Sequence, residues 1–438
     1  MSIRMATTLT ILITLSALHY PKMREIYIMG CISVHRVKES DSPSKEILGK
    51  YMSAVENNVV FEFVILKSDF IFIEEDKKCT FFSSPAEEDI NMTDFEKIWD
   101  FQNLYKAHKA ARLGKRDTKE VIDFELNLSE NISYLSDAIK NKTYKMSGYY
   151  SFYVHDPKKR KIHALHYVDR VVQHCLCDEV LSYVLEKRLI FDNAACRKNK
   201  GTHFALKRVK TFLHEYYKQC GSNGYFLKCD IKKFFDSIDH VVLKSKLEKV
   251  INDKDVLWLL CMIIDSFETT KGKGLPMGNQ TSQWFAVFYL DSFDRIIKEQ
   301  FQIKFYSRYM DDCILIHSDK EVLSKCLKNL KKHLNDNLFL DFNSKTQIFP
   351  IKNGVDYLGW HIYLAVNGKI ILKVRRQSKK KYKKKLKQIR YLYSLDLMEI
   401  KEIKQILASY RAHLSFGHTY KLRKTINKGF SLKKKHFE

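Results

Sequence analysis

Four residues, Tyr309-Met310-Asp311-Asp312, constrain this chain more than any others. They lie between two short apolar runs, Lys304-Phe305-Tyr306-Ser307-Arg308 and Cys313-Ile314-Leu315-Ile316-His317. Runs of this kind read as two strands joined by a tight turn, which puts both carboxylates at the tip. A hard divalent cation takes oxygen ligands, so the pair points to phosphoryl transfer. An acidic turn on a solvated hairpin would look the same, and the tetrapeptide does not carry the reading alone.

A third carboxylate strengthens it. Asp230 ends a second strand-like run, Gly224-Tyr225-Phe226-Leu227-Lys228-Cys229. Two-metal nucleotidyl transfer needs carboxylates from two separate strands, so that one ion activates the attacking 3′-hydroxyl and the other holds the triphosphate. A scaffold that only bound nucleic acid would have no need of three converging carboxylates, whose repulsion raises the cost of folding.

With 438 residues the chain is too long for one compact core and suits two or three packed subdomains. Its 76 Lys and Arg outnumber its 51 Asp and Glu, and the excess is uneven. Residues 1–96 hold 10 basic and 15 acidic side chains, which leaves 66 against 36 in residues 97–438. The carboxylate motifs therefore lie in the basic part, as expected of a protein that tracks phosphate backbones. None of the ten cysteines forms a Cys-x-x-Cys pair, and Cys229, Cys261 and Cys313 sit in apolar runs, so buried free thiols are expected and no structural zinc. The apolar stretch 6–18 has the length of a signal-peptide core rather than a membrane span, yet the chemistry downstream argues for a cytoplasmic protein with no membrane partner.

Thr93-Asp94-Phe95-Glu96 has capping-box spacing and predicts a helix running to about Gly114. Residues 117–150 again have helical periodicity. Tyr150-Ser151-Phe152-Tyr153-Val154 then reads as a strand leading into the basic turn Asp156-Pro157-Lys158-Lys159-Arg160-Lys161, which in a polymerase would be the fingertip gripping the triphosphate through Lys158 and Arg160. Between Lys373 and Lys387 ten of fifteen residues are basic and none is acidic. A helix of this charge beside a duplex would neutralise several phosphates, with Lys379, Lys380, Lys383 and Lys384 as candidate contacts.

In this order the motifs resemble those of reverse transcriptases over roughly residues 94–430. Leu227 to His240 is similar to motif A, with Asp230 as metal ligand and Phe235 as the aromatic gate against a ribose 2′-hydroxyl. Gly274-Leu275-Pro276-Met277-Gly278-Asn279-Gln280-Thr281-Ser282-Gln283 resembles motif B, a loop at the start of a helix, which places Met277, Gly278 and Gln283 at the nucleotide. Tyr309 to Asp312 is similar to motif C, and Asn343-Ser344-Lys345-Thr346 to motif D, whose Lys345 is a candidate proton donor to pyrophosphate. Tyr357-Leu358-Gly359-Trp360 resembles the primer grip, while Asp169-Arg170-Val171-Val172-Gln173 and Ala195 to Thr202 match the bacterial branch.

An apolar residue before the motif B glycine and Ser282-Gln283 at its end are similar to the reverse transcriptases of diversity-generating retroelements, although Met277 stands where that group usually has Ile, Val or Leu. That resemblance implies error-prone synthesis of complementary DNA on a template RNA, with a small basic oligomeric accessory protein as partner. Retron, group II intron-like and defence-associated enzymes share the chemistry. About fifty residues follow the basic run, which disfavours a full-length group II intron protein. An RNA-dependent RNA polymerase shares the palm but would need the space that Phe235 fills.

The expected fold is thus an α+β right hand of fingers, palm and thumb. An unassigned segment, 1–92, precedes fingers and palm over 93–373, with an antiparallel palm sheet, and a basic helical thumb over 374–438. Two Mg²⁺ ions would be bound by Asp230 and Asp311, with Asp312 assisting and the backbone carbonyl of Ile231 completing one shell. The expected partners are template RNA, the RNA–DNA duplex and deoxynucleoside triphosphates.

Overall fold

The computed structural model describes residues 92–155, 159–428 and 430–433, together with four strands earlier in the chain. They fall into two units that divide between Met92 and Thr93. In the first unit, which the sequence left unassigned, β1 (Ser33–Arg36), β2 (Lys50–Glu56), β3 (Val59–Leu66) and β4 (Asp69–Ile73) form an antiparallel sheet in chain order. The apolar stretch 6–18 and Lys158 lie outside the described residues.

The second unit opens with the helix Asp94–Trp99. Its capping box is formed: Thr93 Oγ1 accepts from the Glu96 amide at 3.2 Å, and the Glu96 carboxylate accepts from the Thr93 amide at 2.7 Å. The single helix expected to Gly114 is two. The chain breaks at Asp100, whose carboxylate caps the helix Phe101–Ala111 by accepting from the Asn103 amide at 2.8 Å. An Asp side chain offers the backbone this alternative to continuing the turn, and here it prevails over the apolar periodicity. The next helical stretch divides at Asn127 into Lys119–Leu126 and Leu128–Lys140. A hairpin of β5 (Tyr149–Val154) and β6 (Arg160–Leu165) follows, as the strand pattern predicts.

The central sheet is antiparallel, with β7 (Tyr225–Cys229), β8 (Phe305–Tyr309), β9 (Asp312–His317) and β10 (Gln347–Pro350) in the order β10-β7-β9-β8. Both of its faces are covered. Leu227, Cys229, Cys313 and Leu315 enter a core shared with helices on one side of the sheet, while Phe226, Ile314 and Ile316 enter a second core with Tyr357, Trp360 and Leu386. Neighbours along a strand point to opposite faces, so a sheet buried on both sides reads as unbroken apolar runs.

Beyond it, β11 (Val355–Tyr357), β12 (Trp360–Leu364) and β13 (Ile370–Val374) form a three-stranded antiparallel sheet. Leu358 and Gly359 join β11 to β12 at φ +45 and +86, the paired positive values of a tight hairpin turn. The helices Arg376–Ser394, Ile400–Ser415 and Tyr420–Lys428 complete the chain. This mixed helix and strand architecture, with its antiparallel sheets, has the α+β character expected from the sequence. Cys175, Cys177, Cys229, Cys313 and Cys326 are buried free thiols, and no helix among the described residues is long and apolar enough to cross a membrane.

Candidate active site

Asp230 follows the last residue of β7, Asp311 lies in the turn between β8 and β9, and Asp312 opens β9. The β7–β9 register sets Cys229 opposite Cys313, so the next residues outward, Asp230 and Asp312, face each other. Alternation puts Lys228 and Asp230 on one face of β7, with Asp312 beside them. The three carboxylates therefore come together from two strands, as the sequence predicts.

Their electrostatics are those of a crowded anionic cluster. Burial, then repulsion from Asp230, raises the Asp311 carboxyl above the usual range, opposed by Arg308 and by Arg160 of β6. Asp312 is pushed up to about 7, first by burial and then by Asp311 and Asp230, with Lys228 opposing. The Lys228 ammonium is 3.5 Å from Asp312 Oδ1 and donates to the carbonyl of Asp356 in β11, so it ties this carboxylate to the adjoining sheet. Asp312 Oδ1 is buried and accepts no hydrogen bond.

Among the described residues no set of three His, Cys, Asp or Glu side chains forms a ready-made metal cage. Mg²⁺ is commonly held by one or two carboxylates plus substrate phosphates, and three mutually repelling carboxylates, partly offset by Lys228, Arg308 and Arg160, fit such an ion. Ile231 is buried and forms an antiparallel bridge with Phe342 beside Asp230.

The turn that carries Asp311 is strained and clamped. Met310 adopts φ +56, a conformation that costs a residue with a Cβ about 1–2 kcal/mol. Arg308, only 1 % exposed, donates from Nη1 to the Met310 carbonyl at 2.9 Å. Its Nε and Nη2 hold Asp294 at 2.7 and 2.6 Å, and Nη2 also donates to the Val287 carbonyl at 3.0 Å. The Tyr306 hydroxyl donates to the same Asp294 at 2.5 Å. Sequence reasoning missed this buried pair, because nothing in a strand-like run marks its arginine as the inward one. Lys228 was missed as well, although its place two residues before Asp230, and hence on the same face, was a signal for it.

Motifs A and B support each other. The Leu275 amide donates to the Phe235 carbonyl at 2.8 Å and the Gly274 amide to that of Ile238 at 2.8 Å, so the loop braces the half-buried Phe235 from behind. Gly278, at φ +111, lies under Ile162 of β6, which brings Met277 and the start of the helix Gln280–Tyr289 against the fingers hairpin. Gln283 accepts from the Cys196 thiol at 3.1 Å. The exposed Lys345 sits on a turn beside Asp230.

The duplex contacts divide. Tyr357 is 1 % exposed and packs in the second core, so its ring is not at the surface expected of a primer contact; only Leu358 and Gly359 reach the hairpin tip. In the helix Arg376–Ser394, Tyr382, Leu386 and Ile389 form the buried stripe, and Lys380, Lys383 and Lys384 are exposed away from it. Lys379 and Lys380 line an open groove of about 690 Å³ with Asp356, His361 and Arg375.

Carboxylates thus meet from two adjacent antiparallel strands, with Arg160 of the β5–β6 hairpin acting on Asp311. Residues 154–362, just under half the chain, match the family Reverse transcriptase (RNA-dependent DNA polymerase). The group II intron-encoded protein LtrA of Lactococcus lactis subsp. cremoris is 24% identical over 268 residues, 57% of this chain and 42% of that protein. A putative COX1/OXI3 intron 1 protein of Saccharomyces cerevisiae is 26% identical over 121 residues, 26% of this chain and 14% of that one. The chain thus spans less than half the length of the curated relatives it matches. Among solved structures, telomerase from Candida tropicalis in complex with a TWJ fragment of telomeric RNA covers 68% of this chain and 59% of its own at 15% identity, with a TM-score of 0.41, too loose a likeness to add to the fold.

Proposed function

We propose that this protein is an RNA-directed DNA polymerase that copies a template RNA into complementary DNA. The observation that carries the reading is the meeting of Asp230 with Asp311 and Asp312 on adjacent strands, where Asp312 Oδ1 is buried with the Lys228 ammonium 3.5 Å away. Asp230, Asp311 and Asp312, with the Ile231 carbonyl, would hold two Mg²⁺ ions, which when bound activate the primer 3′-hydroxyl and neutralise the triphosphate. The chain's own groups do the rest. Arg160, and Lys158 with it, hold the triphosphate from the fingers, and Met277, Gly278 and Gln283 line the nucleotide. Phe235 fills the space of a 2′-hydroxyl. Lys345 protonates the leaving pyrophosphate. Leu358, Gly359 and the lysines 379, 380, 383 and 384 hold the RNA–DNA duplex through its backbone.

Within this reading the motif B form of Met277 to Gln283 favours the error-prone enzyme of a diversity-generating retroelement, acting in the cytoplasm of a bacterial host with a small basic oligomeric accessory protein. Similarity to LtrA favours a group II intron-like enzyme instead. Supplying the purified protein with an RNA template, a DNA primer and either deoxy- or ribonucleotides tests both layers. Deoxynucleotide extension is expected, with errors concentrated opposite template adenine. Extension by ribonucleotides alone would overturn the first layer, and an even error spectrum the second.

A further inference from the structure

The edge strand of the palm does not run straight past Asp230. β10 pairs with β7 so that Gln347 faces Lys228, and continuing that register would set Ile231 opposite Ser344. Ile231 bridges Phe342 instead, two residues further on. The surplus is taken up in the turn Asn343-Ser344-Lys345-Thr346, with Ser344 and Lys345 exposed. A ladder interrupted in this way leaves the backbone groups beside it in need of other partners.

At Asp230 that partner is a side chain. Thr346 Oγ1 accepts from the Asp230 amide at 3.1 Å and donates to the Asp230 carbonyl at 3.1 Å. The same carbonyl accepts from the Asn343 amide at 2.7 Å. A hydroxyl is one donor and an acceptor in a single atom, so it can satisfy the Asp230 amide, which lacks its ladder partner, and give the carbonyl a second bond at once. The turn is closed on itself by the Thr346 amide to the Asn343 carbonyl at 2.9 Å and the Lys345 amide to Asn343 Oδ1 at 3.2 Å. The residue whose hydroxyl fixes the Asp230 peptide is thus the covalent neighbour of Lys345.

We propose that Thr346 is a positioning residue, whose hydroxyl sets the Asp230 carboxylate for its metal ion and holds the Lys345 turn in fixed relation to it. The catalytic consequence rests on the polymerase reading above; the effect on metal binding does not. Two substitutions separate the hydroxyl from the shape of the side chain. Thr346→Val keeps the shape and the stiff β-branched rotamer while deleting both bonds, and Thr346→Ser keeps the bonds while deleting the methyl.

The full chain and both variants are titrated with Mn²⁺ alone, read by electron paramagnetic resonance, and then assayed for single-nucleotide addition on a primer–template. Loss of the two bonds is expected to weaken Mn²⁺ binding about tenfold and to lower kcat by about tenfold or more in Thr346→Val, with KM for primer–template unchanged. Thr346→Ser should stay within about threefold of the parent in both. If Thr346→Val does not fold, Thr346→Ser against Thr346→Ala gives the same comparison, since both lack the methyl and only one has the hydroxyl. Parental Mn²⁺ affinity and kcat in the hydroxyl-free variant, or a serine variant as impaired as it, would overturn the proposal. A parent that extends no primer removes the polymerase reading, while the Mn²⁺ titration still decides the role of Thr346.

Discussion

Arg308 and Met277 are the two residues whose replacement says most about the site. Arg308 and Asp294 are each 1 % exposed, so removing one partner strands a buried charge. Arg308→Met should cost about 3–5 kcal/mol in urea denaturation, and pairing it with Asp294→Leu should recover much of that, because a well-packed apolar pair is often no less stable than a buried ion pair. A loss below about 1 kcal/mol for the single variant would mean that the clamp on the Met310 carbonyl is not a stability element. Met277 bears on fidelity. Reverse transcriptases whose motif B begins with Gln have an amide there that can hydrogen-bond near the incoming nucleotide, and a thioether gives no such restraint. One such hydrogen bond is worth about 1–3 kcal/mol, enough for tenfold or more in misincorporation. Met277→Gln should therefore lower errors, most visibly opposite template adenine, without abolishing extension. Equal error spectra in sequenced products of the two proteins would show that the position only fills space under the fingers hairpin.

At the scale of elements, the helix Arg376–Ser394 separates a buried stripe of Tyr382, Leu386 and Ile389 from an exposed basic face. Every phosphate that a removed lysine no longer neutralises should reduce the slope of log affinity against log salt by roughly 0.7–0.9. Changing Lys379, Lys380, Lys383 and Lys384 to Gln should thus weaken primer–template binding on every sequence and flatten that slope, measured by fluorescence anisotropy across a salt series. A slope equal to the parent's would return the helix to a solvated face. The elements were unequally legible in the sequence. The hairpin of β8 and β9, the strand before Asp230, the β5–β6 pair and the cap at Thr93 follow from local pattern alone. The breaks at Asp100 and Asn127 do not, because the apolar periodicity continues through both residues; at Asp100 a side-chain cap overrides it, and at Asn127 the helix ends without one. The inward ring of Tyr357 was hidden for a similar reason: a short strand facing a second core looks like any exposed aromatic turn.

For the molecule as a whole, the motifs lie far apart in sequence and meet because an antiparallel sheet brings Asp230 to Asp311 and Asp312 across some eighty residues of chain. The interactions that set their geometry, through Thr346, Lys228 and Arg308, join segments whose pairing no local pattern announces. The carboxylates were therefore readable from residue type and spacing, and the polar framework that positions them was not. What ties site to function is the charge of that cluster. Asp311→Asn removes one ligand charge and relieves repulsion in the same step, so the variant should fold at least as stably as the parent while losing the ability to hold the reacting groups. The most direct measurement is Mg²⁺-dependent extension of a DNA primer on an RNA template by the purified parent and Asp311→Asn side by side. A fall of at least about a hundredfold in a folded variant is the predicted result, and undiminished extension would contradict the account.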